Sequence, residues 1–66
     1  MTEAEQRVYE WVAQFLADHG WPPTVREIMA GLDYASPSTV QVHLGELRRE
    51  GYLAGTGRRL RLGWKT

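Results

Sequence analysis

The stretch "SPSTVQVHLGELRREG", residues 36–51, decides how the chain is read. Ser36 ahead of Pro37 is a helix start. A serine hydroxyl accepts one of the orphan amides at an N-cap, and a proline at the first helical position has no N–H to leave unsatisfied. Gly51 is the matching stop, with Arg48 and Arg49 near the negative end of the helix dipole. At about 100° per residue, Val40, Leu44 and Leu47 fall on one narrow stripe. Ser38, Val42, Gly45 and Arg49 fall on the opposite stripe, with Thr39 and Gln41 on its flanks. A helix over residues 37–50 therefore buries one thin face. Its other face is small and uncharged through the first turns and carries a bare valine at 42.

Two further helices precede it. Thr2 followed by Glu5 is a capping box, and Ala4, Val8, Trp11, Val12 and Phe15 then recur at helical spacing, with Leu16 at the edge of the stripe. Gly20 supplies a left-handed stop, so the first helix runs over about 3–19. "WPPT" at 21–24 forbids helix, because two prolines fix φ and restrict the residue before them. Thr24 with Glu27 is a second capping box, and Val25, Ile28, Met29 and Leu32 form the buried stripe of a short second helix over 25–32.

Downstream the period changes from helical to alternating. "YLAGTGRRLRLGW", residues 52–64, reads as strand, glycine-rich turn and strand, with the positive φ of "GTG" allowing a tight hairpin. Leu60, Leu62 and Trp64 are expected to face inward, and Arg61 outward, with Arg58 and Arg59 at the tip. A lone hairpin is marginal, so this one has to pack on the helices. The fold class that follows is mostly α with a small β-hairpin (α+β): a three-helix winged helix-turn-helix forming one domain over residues 1–66. Trp21 and Trp64 are expected in the core.

Composition narrows the function. A chain of 66 residues buries only ~60% of its unfolded surface, and with no cysteine it has neither a disulfide nor a thiolate metal site to help. No apolar run approaches the ~20 residues of a membrane span, and a signal peptide's basic and apolar regions are missing, so the expected setting is the cytoplasm. The net charge of zero hides an asymmetry. Residues 1–33 carry two arginines against six carboxylates, net −4, and residues 34–66 carry six cations against two carboxylates, net +4. Such a division is a hint of a polyanion-binding side, and equally of solvated faces.

Catalytic chemistry is hard to place. His19 lies in the last turn of the first helix, where a cation meets the dipole, and no cysteine or carboxylate pair accompanies it. His43 flanks the core stripe of the third helix and reads as a half-buried packing residue. Two distant histidines without cysteine do not make a zinc site. The chain reads as a non-enzyme with no cofactor and no metal.

The outer face of the third helix suits a major groove. Ser36, Ser38 and Thr39 can bond base edges or phosphates, Gln41 can read adenine, and Val42 can meet a thymine methyl. The same face also reads as solvated surface, or as a protein-docking face centred on Val42. Arg58 and Arg59 can follow a phosphate backbone or enter a minor groove, or simply keep an edge strand soluble. Arg49, with Arg48, can clamp phosphate or complement the helix end.

"GWPPTVREI" followed by "SPSTVQVHLGELRREGYL" resembles the N-terminal DNA-binding domain of the LexA repressor family. The resemblance extends from about Glu5 to Leu62. It implies a winged helix-turn-helix repressor module that binds a double-stranded operator half-site in a bacterial or phage-like cytoplasm, associated with the nucleoid. It implies DNA contacts at Ser36, Ser38, Thr39, Gln41 and Val42, and a phosphate-contacting wing at Arg58 and Arg59. Full-length members suggest DNA-damage regulation, the SOS response.

Three departures matter. The family's self-cleaving Ser/Lys protease and dimerisation domain has no counterpart in these 66 residues. Partnership through a homodimer or another protein is therefore open, and so is a role as a protein-interaction module. "LDYASP" puts a tyrosine where the family has a short polar turn. Gly45 replaces an often basic position and Glu46 adds negative charge, so weaker non-specific DNA affinity is expected.

Overall fold

The computed structural model describes residues 1–65. Its elements run α1 (Glu3–His19), α2 (Val25–Leu32), α3 (Pro37–Arg49), β1 (Leu53–Ala54), a 3-10 turn (Gly57–Arg59) and β2 (Arg61–Leu62). This is the winged helix-turn-helix architecture, mostly α with one antiparallel hairpin.

The helix ends are where the capping chemistry puts them. The Thr2 hydroxyl accepts the Glu5 amide at 3.1 Å, and the Glu5 carboxylate accepts the Thr2 amide at 3.0 Å. Thr24 and Glu27 repeat the exchange at 3.1 and 2.9 Å. Each box satisfies two amides that a helix start would otherwise leave unpaired. Gly20 closes α1 at φ 80° and donates to the Leu16 carbonyl. α2 closes without glycine: Asp33 takes the left-handed conformation at φ 61°, and both its amide and that of Tyr34 return to the Met29 carbonyl. Asp tolerates this region better than most residues. The connection to α3 is thus a tight, hydrogen-bonded turn with Tyr34 half-buried in it. Ser36 caps α3 by accepting the Ser38 amide at 3.2 Å, with Pro37 first in the helix.

Three helices and the first strand share one core. Val8 and Val12 from α1, Ile28 from α2, Val40, Leu44 and Leu47 from α3, Leu53 from β1 and Leu60 are all buried. Burial of each such side chain is worth about 1.5–3 kcal/mol, and that sets the orientation of α3. Trp11, Leu16, Val25, Met29, Leu32, Tyr34 and Tyr52 pack around this centre as half-buried neighbours.

The hairpin departs from the sequence expectation. Its strands are two residues each, in register Leu53↔Leu62 and Ala54↔Arg61. Two further backbone bonds, Gly63 N–H to the Tyr52 carbonyl and Lys65 N–H to the Gly51 carbonyl, continue the pairing outward. Leu60 is inside as expected, but Leu62 is 39% and Trp64 83% exposed. Leu60 caps the 3-10 turn and lies outside the paired strand, so a simple alternation from 60 to 64 does not hold. β1 is the strand packed on α3, and β2 is the outer one. Trp21 is also outside the core, at 60% exposure. Its position in the Pro-Pro connector leaves it against His19 in a tilted ring pair, 5.5 Å between ring centroids.

Gly31 is needed for close approach. α1 and α2 meet where the Trp11 indole lies over it, and a Cβ at Gly31 would overlap the ring. We expect Gly31→Ala to destabilise the domain by about 1–3 kcal/mol, net of the ~1 kcal/mol that alanine gains in helix propensity. Urea unfolding followed by tryptophan fluorescence measures it. An unchanged or raised midpoint would show that Trp11 moves aside without cost.

Candidate nucleic-acid interface

With Val40, Leu44 and Leu47 buried, α3 has no choice about what it presents. Ser38, Thr39, Gln41 and Val42 are all exposed, Val42 at 59%. Ser36 is half-buried, and its hydroxyl oxygen is engaged as the N-cap acceptor. It retains its own O–H as a donor. The surface is short-chained, with hydroxyls and an amide around one aliphatic group. Gly45, half-buried, continues it toward the C-terminal end.

The cations divide into two sets. Arg49 is exposed but forms an ion pair with Glu46, one turn back on the same helix. Arg48 points elsewhere: it lines a cleft between α2, α3 and the wing together with Gln41 and Arg58. That shared cleft places the wing turn beside the outer face of α3. Arg58 and Arg59 are exposed on the 3-10 turn, and Arg61 donates to the Arg59 carbonyl at 3.3 Å, tying the turn to β2. The turn depends on Gly55, whose φ is 77° and whose α-carbon passes close to the Arg59 backbone. The eight residues singled out in the sequence therefore fall on α3 and the wing. Ser36 is the capping member and Arg49 the internally paired one.

Some features were not readable in advance. Glu5 is buried, 6% exposed, and an oxygen of its carboxylate lies within 4.8 Å of oxygens of Glu46 and Glu50. Spacing shows Glu46 and Glu50 on one helical face. Nothing in the sequence shows that the first turn of α1 meets them. Glu5 already accepts the Thr2 amide and Glu46 already pairs with Arg49, so two of the three carboxylates have protein partners. His43 is half-buried beside Tyr34, ring centroids 5.9 Å apart, as a packing residue would be. Its Nδ1 is buried with no hydrogen-bond partner among the described residues. His19 lies between Phe15, at 4.1 Å, and Trp21 in an aromatic row that continues to Trp11. No helix among the described residues is long and apolar enough to cross a membrane.

Comparison with known proteins bears on this geometry directly. The chain matches the model of the LexA DNA binding domain over residues 1–61. It is similar to the LexA repressor of Desulfatibacillum aliphaticivorans, 43% identical over 53 residues, covering 80% of this chain and 26% of that protein. It is also similar to the LexA repressors of Carboxydothermus hydrogenoformans, at 42%, and Staphylococcus aureus, at 38%, again over 53 residues with the same coverage of each chain. The chain thus spans about a quarter of the length of these curated relatives. The match takes in all three helices and the wing as far as the start of β2, so it includes the elements that carry the candidate interface, and the chain belongs to the LexA DNA-binding domain family.

Proposed function

We propose that the domain binds double-stranded DNA sequence-specifically and serves transcriptional repression. α3 lies in the major groove and the wing turn lies against the adjacent backbone. One observation carries this reading: the uncharged outer face of α3, from Ser38 to Val42, stands beside an exposed pair of arginines on one side of the molecule. Short hydroxyl and amide side chains reach base edges without desolvating a buried charge, and the arginines supply the sequence-independent attraction. The names of the relatives, all LexA repressors, support repression as the outcome.

Roles follow from position. Gln41 reads adenine through its amide, Ser38 and Thr39 donate to base edges or phosphates, and Val42 covers a thymine methyl. Ser36 fixes the start of α3 and directs its hydroxyl proton outward. Arg58 and Arg59 contact phosphate, and Arg49 reaches phosphate only by leaving Glu46. Helix-turn-helix modules read paired half-sites as dimers, so one domain engages one operator half-site.

Two classes of substitution should separate. Gln41→Ala is expected to lose about 1–3 kcal/mol of discrimination at one base pair while leaving random-duplex affinity unchanged. Arg58→Ala combined with Arg59→Ala should weaken all duplexes alike and reduce the slope of log K against log salt by up to about 2. Fluorescence anisotropy over a salt series reads both. A wild-type slope near zero would end the DNA reading.

A second reading is favoured by one observation, the 59% exposure of Val42 together with that of Trp21 and Trp64. It makes the domain a protein-interaction module. Thymine-to-uracil replacement in the selected site decides between them. If Val42 covers a thymine methyl, removing that methyl costs the wild type about 0.8 kcal/mol and costs Val42→Ala much less. If no thymine shows this coupling, while Val42→Glu abolishes binding to a protein partner and spares DNA, the valine is a protein contact.

A further inference from the structure

The cleft between α2, α3 and the wing is more than a gap between DNA-facing elements. Its volume is about 340 Å³. Small-molecule pockets begin at about 300 Å³, mostly apolar with a few convergent polar groups. The floor here is Pro23, Val25, Leu44 and Leu60, contributed by three separate parts of the chain. Leu44 and Leu60 are otherwise core residues, with only 4% and 5% of their surface left open. Arg48, half-buried, and Arg58, exposed, also line the cleft. Neither has a hydrogen bond or ion pair among the described residues, whereas neighbouring Arg49 has one and Arg61 has one. Gln41 and Thr56 complete the polar edge.

An apolar floor under two unpaired cations has a definite complement. A bare phosphate satisfies the rim and gains nothing from the leucines. A neutral hydrocarbon satisfies the floor and leaves the guanidiniums as they were. An amphiphilic acid meets both, with its body on Leu44 and Leu60 and its carboxylate accepting from Arg48 and Arg58. We propose that this cleft is a binding site for a small amphiphilic carboxylic acid, an aromatic or short aliphatic body carrying one carboxylate. Gln41 and Arg58 belong both to this site and to the DNA-facing surface, so acid and duplex exclude one another. That consequence rests on the DNA reading; the site itself does not.

The test uses the whole domain without DNA, and 2-naphthoate as probe, titrated into isotopically labelled protein and followed by amide NMR. We expect saturable shifts centred on Val25, Leu44, Arg48, Arg58 and Leu60. Naphthalene-2-methanol, the neutral counterpart, should bind at least about tenfold more weakly, and Arg48→Gln or Arg58→Gln should weaken naphthoate by a similar factor without changing the affinity for the alcohol. Neither arginine has a hydrogen bond or ion pair to lose among the described residues, and the dispersion of each variant's spectrum verifies that the fold is kept. The proposal is overturned if naphthoate produces no saturable shift, if the shifts centre on Trp11 and Trp21, if acid and alcohol bind alike, if neither arginine variant weakens the acid, or if inorganic phosphate reproduces the shifts at equal concentration. Failure of duplex binding leaves these outcomes untouched, so the two readings fail separately. A competition titration against labelled duplex then tests the exclusion.

Discussion

The packing of one thin stripe, Val40, Leu44 and Leu47, against Val8, Val12 and Ile28 governs everything else in this domain. Three side chains within about 60° of arc leave a helix free to present most of its circumference to solvent. They also fix its rotation, because turning α3 by one residue position swings an aliphatic group out and a polar one in. The exposure of Ser38, Thr39, Gln41 and Val42 is therefore a consequence of core packing and requires no surface interaction to maintain it. A face held from behind in this way is pre-organised, and a ligand that meets it need not order it.

The angle at which that face is offered depends on the connectors. Pro22 and Pro23 make a stiff entry to α2, and Pro23 is itself buried. Gly31 lets α1 and α2 close to contact across the Trp11 indole. Asp33, at φ 61°, turns the chain out of α2 with two amides returned to one carbonyl. The tyrosine in this turn does not open it: Tyr34 packs against the core and its amide is one of those two donors. A domain with so little buried surface has small reserves, and it gains order from local hydrogen bonds at every helix end.

The helices were legible because their signals are local. Capping boxes at Thr2 and Thr24, the Ser36–Pro37 start and the Gly20 stop each involve residues within four positions, and the structure puts the boundaries there. What escaped was non-local. Period-two alternation placed Leu62 and Trp64 inside, but β2 is the outer strand of a two-stranded ribbon and has no layer beyond it to bury them. Trp64 covers Gly51 instead, its ring within 2.6 Å of where a Cβ would be. Trp21, hydrophobic by composition, is held outside by the prolines that follow it. The burial of Glu5 beside Glu46 and Glu50 brings together residues more than forty positions apart, and no spacing rule reaches that far. The same holds for the cleft, whose floor draws on α2, α3 and the residue closing the wing turn.

Charge arrangement sets how such a domain would discriminate. The acidic half of the chain supplies α1 and α2 and the basic half supplies α3 and the wing, so a net charge of zero coexists with a cationic side. On that side Arg49 is held by Glu46, and the exposed stretch of α3 from Ser38 to Val42 carries no charge. Each phosphate neutralised by an arginine contributes about one released counterion, a term blind to sequence. If this face reads bases as proposed, the absence of cations between Ser38 and Val42 would leave that term to cations outside it, such as Arg58 and Arg59. In the proposed complex a larger share of the binding energy would then rest on the small groups at 38, 39, 41 and 42, which differ in what they would ask of each base. The valine among them costs little in exposure, since a single apolar residue on a wet surface is ordinary, and under the DNA reading it would add a methyl-sized preference that no arginine supplies.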